Sequence, residues 1–425
     1  MRQYQSYKDS GVEWIPPIPS HWNVYPTKRY FRSVKRIVGS DADCYERLAL
    51  TLNGVIKRSK EDNEGLQPER FEDYQILKEH ELVFKLIDLE NIKTSRVGLS
   101  PYEGLVSPAY IVLTNTSTDN RFFYYWFMYL YYNQIFNQLG SEGVRRSLNA
   151  KDVLRLPIAC PPPEERVLIA DYLDRKMEAL DDLIVAKQDY ANLLSEAKIE
   201  LITTTVTRGV VRDATTKHSG IEWLGEVPSH WQILTNHQLF AERNIKCDEP
   251  DAVLLSVTKH LGVILQSQAE EMNLATVAPA DTTEGYKVVR KGDLVMNIMR
   301  AKDGSYGISD YDGVISPAYC IYYTRQEANP QYLYYLFKTP MYMEIFKNYS
   351  TGIAEHRMRL YPVNFFKIPA VVPQLDEQNE IVAYLDKRVK DIDELIALTQ
   401  QQIEKLKEYR QSIISEVVTG KVAVE

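Results

Sequence analysis

Two long stretches without proline or glycine constrain the fold of this chain more than any other feature. Residues 164–207 and 376–419 each follow a proline and begin with acidic residues, as helix N-termini do. Apolar residues recur in alternating steps of three and four, which is a heptad pattern. Helices of about 60 Å, at 1.5 Å per residue, are too long for one ordinary domain to cover. The sequence therefore predicts that the two helices pair as an antiparallel coiled coil, the alternative being long surface helices on their own domains. The residues predicted to pair them are Leu173, Leu180, Ile184, Leu194, Leu385, Ile392, Ile396, Ile403 and Leu406.

The chain is a tandem duplication. The helical stretches recur at an offset of 212 residues, and three shorter motifs recur at an offset of 209 residues. A repeat this consistent predicts two copies of one folding unit, each made of a globular module and a long helix. The repeated motifs are Ser10–Trp14 with Ser219–Trp223, Pro19–Trp22 with Pro228–Trp231, and Gly104–Tyr110 with Gly313–Tyr319.

Each module has the pattern of an α+β fold. Short apolar or alternating runs bounded by Gly, Asn and Asp predict strands, and an aromatic-rich run predicts a helix. The predicted strands are 48–52, 82–87, 105–113 and 154–158 in the first module and 253–257, 294–299, 314–323 and 366–370 in the second; the predicted helices are 122–138 and 332–348. The predicted domain boundaries are 1–158 and 210–371 for the modules, and 159–209 and 372–425 for the helices.

Charge, apolar runs and cysteine spacing limit the classes of function that this chain can have. The net charge of −8 over 425 residues argues at first against a nucleic-acid partner, but both helical segments are acidic and the modules are near neutral. No apolar run is long enough for a membrane span, and the N-terminus lacks the apolar core of a signal peptide, which predicts a cytoplasmic protein without a membrane partner. The cysteines lie far apart, so neither a zinc site nor a disulfide framework is expected.

Common catalytic motifs are missing from the sequence. No phosphate-binding loop, no Gly-rich dinucleotide turn and no His cluster at metal spacing occurs, so no catalytic residue, metal or bound cofactor is predicted. Asp88, Glu90 and Lys93 resemble a nuclease triad only loosely, because the second module lacks the pattern. His21 and His230 repeat within Pro-Ser-His-Trp, where a packing or hydrogen-bonding role is the better interpretation than catalysis.

Basic residues gather where the fold would place loops. Arginine can neutralise phosphates or bind guanine bidentately, although many such residues are ordinary surface charges. The two clusters after the aromatic helices, 145–146 and 356–359, follow a glycine in both copies and are the strongest candidates. The predicted DNA-binding residues are Lys57, Arg58, Lys60, Arg145, Arg146, Lys259, Arg300, Lys302, Arg357 and Arg359.

The repeated motifs resemble those of the specificity subunit of type I restriction-modification enzymes, of the HsdS type. The resemblance covers nearly the whole chain. It rests on Ser-Gly-x-Glu-Trp and Pro-Ser-His-Trp at each module's start, on Gly-x-x-Ser-Pro-Ala-Tyr, and on the proline-rich exit followed by Tyr-Leu-Asp at 172–174 and 384–386. It rests as well on a middle motif of the second copy, Gly-Asp-Leu at 292–294 with Met299-Arg300 and Gly-Ser-Tyr-Gly-Ile-Ser at 304–309. The first copy departs from this middle motif at 93–100, where it reads Lys-Thr-Ser-Arg-Val-Gly-Leu-Ser.

The resemblance implies a specific function. Two target-recognition domains would each read half of a bipartite, asymmetric site in double-stranded DNA, and the helices would set the spacer. The subunit would have no catalytic activity. Two methyltransferase subunits using S-adenosylmethionine would dock on it, and restriction subunits driven by ATP and Mg would join the complex.

Two other classes of function remain open from the sequence. A coiled-coil interaction scaffold without DNA recognition is favoured mildly by the acidic charge. An enzyme with an unfamiliar active site would need a repeated polar constellation beyond the framework motifs, and the sequence has none.

Overall fold

The computed structural model of the protein describes residues 2–52, 54–62, 70–87, 89, 96–115, 119–139, 147–211, 214–274, 282–325, 328–354 and 357–424. The chain divides into two compact units. Unit 1 comprises Met1–Gln188 and Gln401–Glu425, and unit 2 comprises Asp189–Gln400. This division falls within the two long helices, between residues 188 and 189 and between residues 400 and 401. It therefore does not test the four domain boundaries drawn from the repeats, which stay predictions.

The elements of unit 1 are short strands, short helices and the start of one long helix. The strands are β1 (Tyr7–Lys8), β2 (Ile18–Pro19), β3 (Asn23–Pro26), β4 (Arg32–Ser33), β5 (Arg47–Thr51), β6 (Gly54–Arg58), β7 (Gln75–Leu77), β8 (Leu82–Phe84), β9 (Val97–Leu99), β10 (Gly104–Val106), β11 (Ile111–Thr114) and β12 (Pro157–Cys160). The helices are α1 (Arg121–Tyr132), α2 (Ile135–Leu139), α3 (Ala150–Arg155) and α4 (Pro163–Arg208), the last continuing into unit 2.

Unit 2 repeats this series. Its strands are β13 (Thr216–His218), β14 (Glu226–Pro228), β15 (Gln232–Thr235), β16 (Phe240–Glu242), β17 (Leu255–Thr258), β18 (Gly262–Leu265), β19 (Lys287–Val289), β20 (Leu294–Asn297), β21 (Tyr306–Ile308), β22 (Gly313–Ile315), β23 (Tyr319–Thr324) and β24 (Pro369–Val372). Its helices are α5 (Asn236–Leu239), α6 (Gln266–Glu271), α7 (Pro330–Phe337), α8 (Pro340–Tyr349), α9 (Pro362–Phe365) and α10 (Leu375–Val418), the last continuing into unit 1.

The sheets confirm the duplication. Strand order β4-β11-β8-β9 in unit 1 matches β16-β23-β20-β21 in unit 2, and the ribbon β12-β3 matches β15-β24. A second sheet of unit 1, β6-β5-β10-β7, corresponds to the pairs β17-β18 and β19-β22. A parallel bridge between Leu254 and Val314 joins those two pairs, just as Leu105 pairs in parallel with Arg47 in unit 1. The α+β fold class predicted from the sequence is therefore confirmed.

The prediction of one continuous strand across each Ser-Pro-Ala-Tyr motif is wrong. The structure has β10 and β11 in place of one strand, and β22 and β23 in the second copy, with the two members in different sheets. Proline has no N–H to donate to a ladder, and the chain turns at the motif. The backbone N–H of Tyr110 donates to the carbonyl of Ser107 at 3.0 Å, and that of Tyr319 donates to Ser316 at 3.1 Å.

The aromatic helices also break in the middle. In unit 1 the break falls between α1 and α2, where Gln134 has a φ of 56°. In unit 2 it falls before Pro340, because a proline inside a helix removes a hydrogen bond and clashes with the preceding turn. The strands predicted at 154–158 and 366–370 begin later than expected, at Pro157 and Pro369, since α3 and α9 precede them.

The long helices confirm the prediction within two residues at each end. Both run antiparallel within each unit, since Leu173 and Val417 share the core of unit 1. In unit 2, Leu201 and Leu385 share the core. Of the nine residues predicted to pair them, Leu173, Leu180, Leu385 and Ile403 are buried, and Ile184, Leu194, Ile392, Ile396 and Leu406 are half-buried.

Polar residues interrupt the heptad stripe, and they bond across the helix pair. Within unit 1, Lys187 Nζ donates to Gln402 Oε1 at 2.7 Å, and Arg410 pairs with Asp181 at 3.3 Å. Within unit 2, Lys198 pairs with Asp393 at 2.6 Å. Polar groups at such positions fix which residues face each other along a coiled coil. No helix among the described residues is sufficiently long and apolar to cross a bilayer.

Candidate nucleic-acid interface

Three segments of unit 2 carry the predicted basic residues. Turn A (residues 258–262) joins β17 to β18 and carries Lys259. Turn B (residues 298–305) joins β20 to β21 and carries Arg300 and Lys302. The third segment, here called loop C (residues 350–360, with 355 and 356 outside the described part), connects α8 to α9 and carries Arg357 and Arg359.

Turn A is a tight hairpin connection. The hydroxyl of Thr258 accepts from the backbone N–H of Leu261 at 3.0 Å and donates to the carbonyl of Gly262 at 3.3 Å. Gly262 has a φ of +68°, a backbone conformation that residues other than glycine rarely adopt. These bonds hold the exposed Lys259 at the tip of the hairpin.

Turn B is held by its own backbone. Its centre is a single 3₁₀ turn over Ala301–Asp303, which Gly304 closes in the left-handed conformation at a φ of 82°. The carbonyl of Arg300 accepts from the backbone N–H groups of Asp303 and Ser305, at 3.0 and 3.1 Å. The side chain of Arg300 is exposed, and that of Lys302 is half-exposed.

Loop C packs against turn B. The backbone N–H of Leu360 donates to the carbonyl of Ile298 at 2.9 Å, and Arg359 Nη2 lies 3.9 Å from the sulfur of Met299. Arg359 also forms an antiparallel bridge with Thr351. Loop C therefore places the exposed Arg359 beside turn B.

Turns A and B approach each other at the base of their hairpins. A Cβ built on Gly307 of β21 would lie 2.7 Å from Gly262 Cα, so the two backbones are in contact there. Hence the fold gathers Lys259, Arg300 and Arg359, which are far apart in the sequence. Within the described residues no ion pair involves these three or Arg357, so their charges are available to an anionic ligand.

The predicted residues of unit 1 have a different environment. Lys57 pairs with Glu46 at 2.5 Å, and Arg58 pairs with Asp62 at 2.8 Å. Lys60 donates to the carbonyl of Ala42 at 2.7 Å and lies over the ring of Phe71. These charges are thus already partly neutralised. Arg145 and Arg146 lie outside the described residues, as do Asp88, Glu90 and Lys93.

A carboxylate clamp fixes the start of each module to its helix. Glu165, in the first turn of α4, accepts from Trp22 Nε1 at 3.0 Å and from Tyr4 OH at 2.6 Å, and contacts His21 Nε2 at 2.8 Å. Glu377, in the first turn of α10, accepts from Trp231 at 3.0 Å and contacts His230 at 2.9 Å. Both histidines therefore have the hydrogen-bonding role that their motif suggested.

The sequence reasoning missed one residue near turns A and B. Lys338 directly follows α7, and its ammonium contacts both turns. A lysine that ends an otherwise aromatic helix was the available signal. Among the residues that the structure describes, no group of three or more His, Cys, Asp and Glu is arranged to hold a metal ion.

The chain is similar in sequence to one protein family and to two proteins of known description. Residues 53–189 match the family described as Type I restriction modification DNA specificity domain. Two proteins of Methanocaldococcus jannaschii are similar over 294 residues each. The chain is 26% identical to one described as the type I restriction enzyme MjaX specificity subunit, over 68% of this chain. It is 24% identical to the type I restriction enzyme MjaVIII specificity subunit, over 64% of this chain. The matches span 65% and 63% of those relatives, less than two thirds of their length.

Solved structures share the fold at low sequence identity. A chain from a study of complex assembly and conformational transition of the type I R-M system matches with a TM-score of 0.66 at 14% identity, covering 95% of this chain and 99% of that one. The HsdS subunit from Thermoanaerobacter tengcongensis matches with a TM-score of 0.52 at 14% identity, covering 96% of this chain and 100% of that one. These likenesses support the fold.

Proposed function

Since the chain belongs to the family of type I restriction-modification specificity subunits, we propose that it is the DNA-recognition subunit of such a complex. The observation that carries this proposal is the set of exposed basic residues that the fold brings together in unit 2, Lys259, Arg300 and Arg359, without carboxylate partners in the described part of the chain. Unpaired arginine and lysine on turns are suited to contact phosphates and guanine edges of double-stranded DNA.

Each module reads one half of a bipartite, asymmetric site. The two units share strand order, while their turns differ in sequence and in charge pairing. A common scaffold with different turns supports recognition of two different half-sites.

The helices set the spacer and seat two methyltransferase subunits. Several large apolar side chains are exposed on α4 and α10, and contiguous exposed apolar surface is what a docked subunit would cover. They include Val185 (59% exposed), Leu193 (62%) and Leu398 (50%).

The chemistry belongs to the partners. We assign no catalytic residue, metal or cofactor to this chain. S-adenosylmethionine would be used by the methyltransferase subunits, and ATP and Mg by restriction subunits that join the complex. A cytoplasmic location accompanies this proposal.

Shortening both helices is expected to change the spacer. Deleting residues 190–196 and 394–400 removes two complete heptads that oppose each other in unit 2, and so preserves the register of the remaining pairs. The loss is about 10 Å per helix, the rise of about three base pairs. Sequencing of methylated DNA should then report a shorter spacer between unchanged half-sites; an unchanged spacer would refute the spacer role.

Methylation sequencing tests the function as a whole. Cells carrying the gene with its methyltransferase partner should methylate a bipartite motif, and cells lacking only this gene should lose methylation at that motif. If the same motif stayed methylated without this chain, DNA recognition would be excluded and an interaction scaffold favoured.

A further inference from the structure

Lys338 occupies an aromatic environment at the end of α7. Its Nζ lies 4.8 Å from the centroid of the Tyr306 ring and 5.3 Å from that of Tyr334. Burial, and secondarily the charge of Lys259, lower the pKa of Lys338 to about 8. The amine is therefore still largely protonated at pH 7, where a cation over aromatic faces is stabilised.

The ammonium of Lys338 joins turn A to turn B. It donates to the carbonyl of Lys259 at 3.0 Å and to the carbonyl of Gly304 at 2.6 Å. Hydrogen bonds from a charged donor are stronger than neutral ones. The two carbonyls lie in the same turns as the side chains of Lys259 and Arg300, so one ammonium restrains the spacing of both.

The scaffold itself does not require a lysine at this position. The matching residue of the first repeat, at the same offset of 210 as Tyr124 and Tyr334, is Met128, which is buried in the core of unit 1. Methionine fills such a space without a charge. The lysine is thus specific to the unit in which Lys259 and Arg300 have no ion pair among the described residues.

The position of Lys338 separates it from the DNA-contacting side chains. Its Nζ points to two backbone carbonyls and two rings, and the side chain is half-buried, whereas Lys259 and Arg300 are exposed. Residues that hold contact groups in place govern binding geometry without touching the ligand.

We propose that Lys338 is a positioning residue for DNA recognition by unit 2, holding turns A and B at the spacing at which Lys259 and Arg300 contact the same half-site. This inference rests on the proposed function of the chain. It adds a determinant of half-site discrimination that does not itself bind DNA.

The substitution Lys338→Met tests the proposal, because it installs the residue that the first repeat accommodates. The full chain, assembled with its methyltransferase subunits, is titrated with three duplexes: the methylated motif, and the same duplex with either half-site scrambled. Affinity for the intact motif should fall about tenfold. Scrambling one half-site should weaken binding of the variant by a smaller factor than it weakens binding of the wild type. Scrambling the other half-site should weaken binding of both proteins by the same factor.

The salt dependence distinguishes positioning from contact. A lost phosphate contact makes the negative slope of log K against log salt shallower by about 0.9, as expected for Arg300→Ala. Lys338→Met should leave the slope unchanged. Amide hydrogen exchange of the free chain should show faster exchange in turns A and B, with the remainder of unit 2 as in the wild type. Lys291→Met, an exposed lysine that precedes β20 at the end opposite turn B, controls for the loss of one charge.

Several results would overturn the inference. Unchanged affinity and discrimination in a folded Lys338→Met complex would remove it, as would a salt slope about 0.9 less negative, which would make Lys338 a phosphate contact. Exchange that accelerates throughout unit 2 would show a purely structural role. If the wild-type complex bound the intact motif no more tightly than the two scrambled duplexes, the proposed function would be wrong, and this inference with it.

Discussion

Replacing Lys259, Arg300, Arg357 and Arg359 together by alanine is expected to weaken DNA binding by the assembled complex by about 100-fold or more at moderate salt. Each lysine or arginine that neutralises a phosphate releases counterions, so each lost contact makes the negative slope of log K against log salt shallower by about 0.9. All four residues are exposed and have no ion pair among the described residues, so little of their charge is compensated within unit 2. Fluorescence anisotropy of a labelled duplex at several salt concentrations measures both quantities.

A matched variant separates local contacts from net charge. Lys217, Lys246, Arg290 and Lys291 are exposed on other segments of unit 2, and their replacement by alanine removes the same number of charges. That variant should retain the wild-type slope. Equal losses for both variants would show that overall charge, rather than turns A and B and loop C, controls binding.

The corresponding unit 1 variant should have a smaller effect. Lys57 and Arg58 already pair with Glu46 and Asp62, so alanine substitution there removes charges that are partly neutralised.

Glu165→Ala is expected to destabilise unit 1 by about 2–3 kcal/mol, because a buried donor left without its acceptor retains its full desolvation penalty. The indole N–H of the fully buried Trp22 would lose its acceptor, and Tyr4 and His21 would lose theirs as well. Urea denaturation measures the change in the free energy of unfolding, and amide hydrogen exchange shows which of the two units has lost stability. The loss should appear in unit 1.

Glu164→Ala is the control for this change. Glu164 is the exposed neighbour of Glu165 in the first turn of α4, and its loss removes a similar interaction with the helix dipole without breaking the clamp. Glu377→Ala should destabilise unit 2 instead, and by less, since Glu377 has two described partners rather than three. A Glu165→Ala protein as stable as Glu164→Ala would show that the clamp contributes nothing.

The long helices were predictable because their signals are local. Heptad periodicity, the absence of proline and glycine, and acidic first turns all act within a few residues. For the same reason the duplication was visible, and the polar breaks at Lys187, Lys198 and Arg410 marked residues that bond across the pair.

The strands were harder to predict because sheet membership is not local. The apolar run 105–113 resembles one strand, yet Pro108 divides it between two sheets. An apolar window does not reveal which partner each half will pair with.

The candidate interface was predictable only as separate pieces. Lys259, Arg300 and Arg359 were identified individually, but their proximity depends on a backbone contact between Gly262 and Gly307 and on the packing of loop C against turn B. Lys338 was missed because a lysine at the end of a helix is usually an ordinary surface residue, and only the aromatic helix before it set this lysine apart.

The assembly of unit 1 from both ends of the chain has a consequence for synthesis on the ribosome. Unit 2 is continuous from Asp189 to Gln400 and emerges from the ribosome before the last turns of α10 do. The core of unit 1 includes Ile413, Ile414, Val417 and Val418, and so stays incomplete until those residues emerge. The module translated first is therefore the one that finishes folding last, and its apolar surface is exposed to chaperones in the interval.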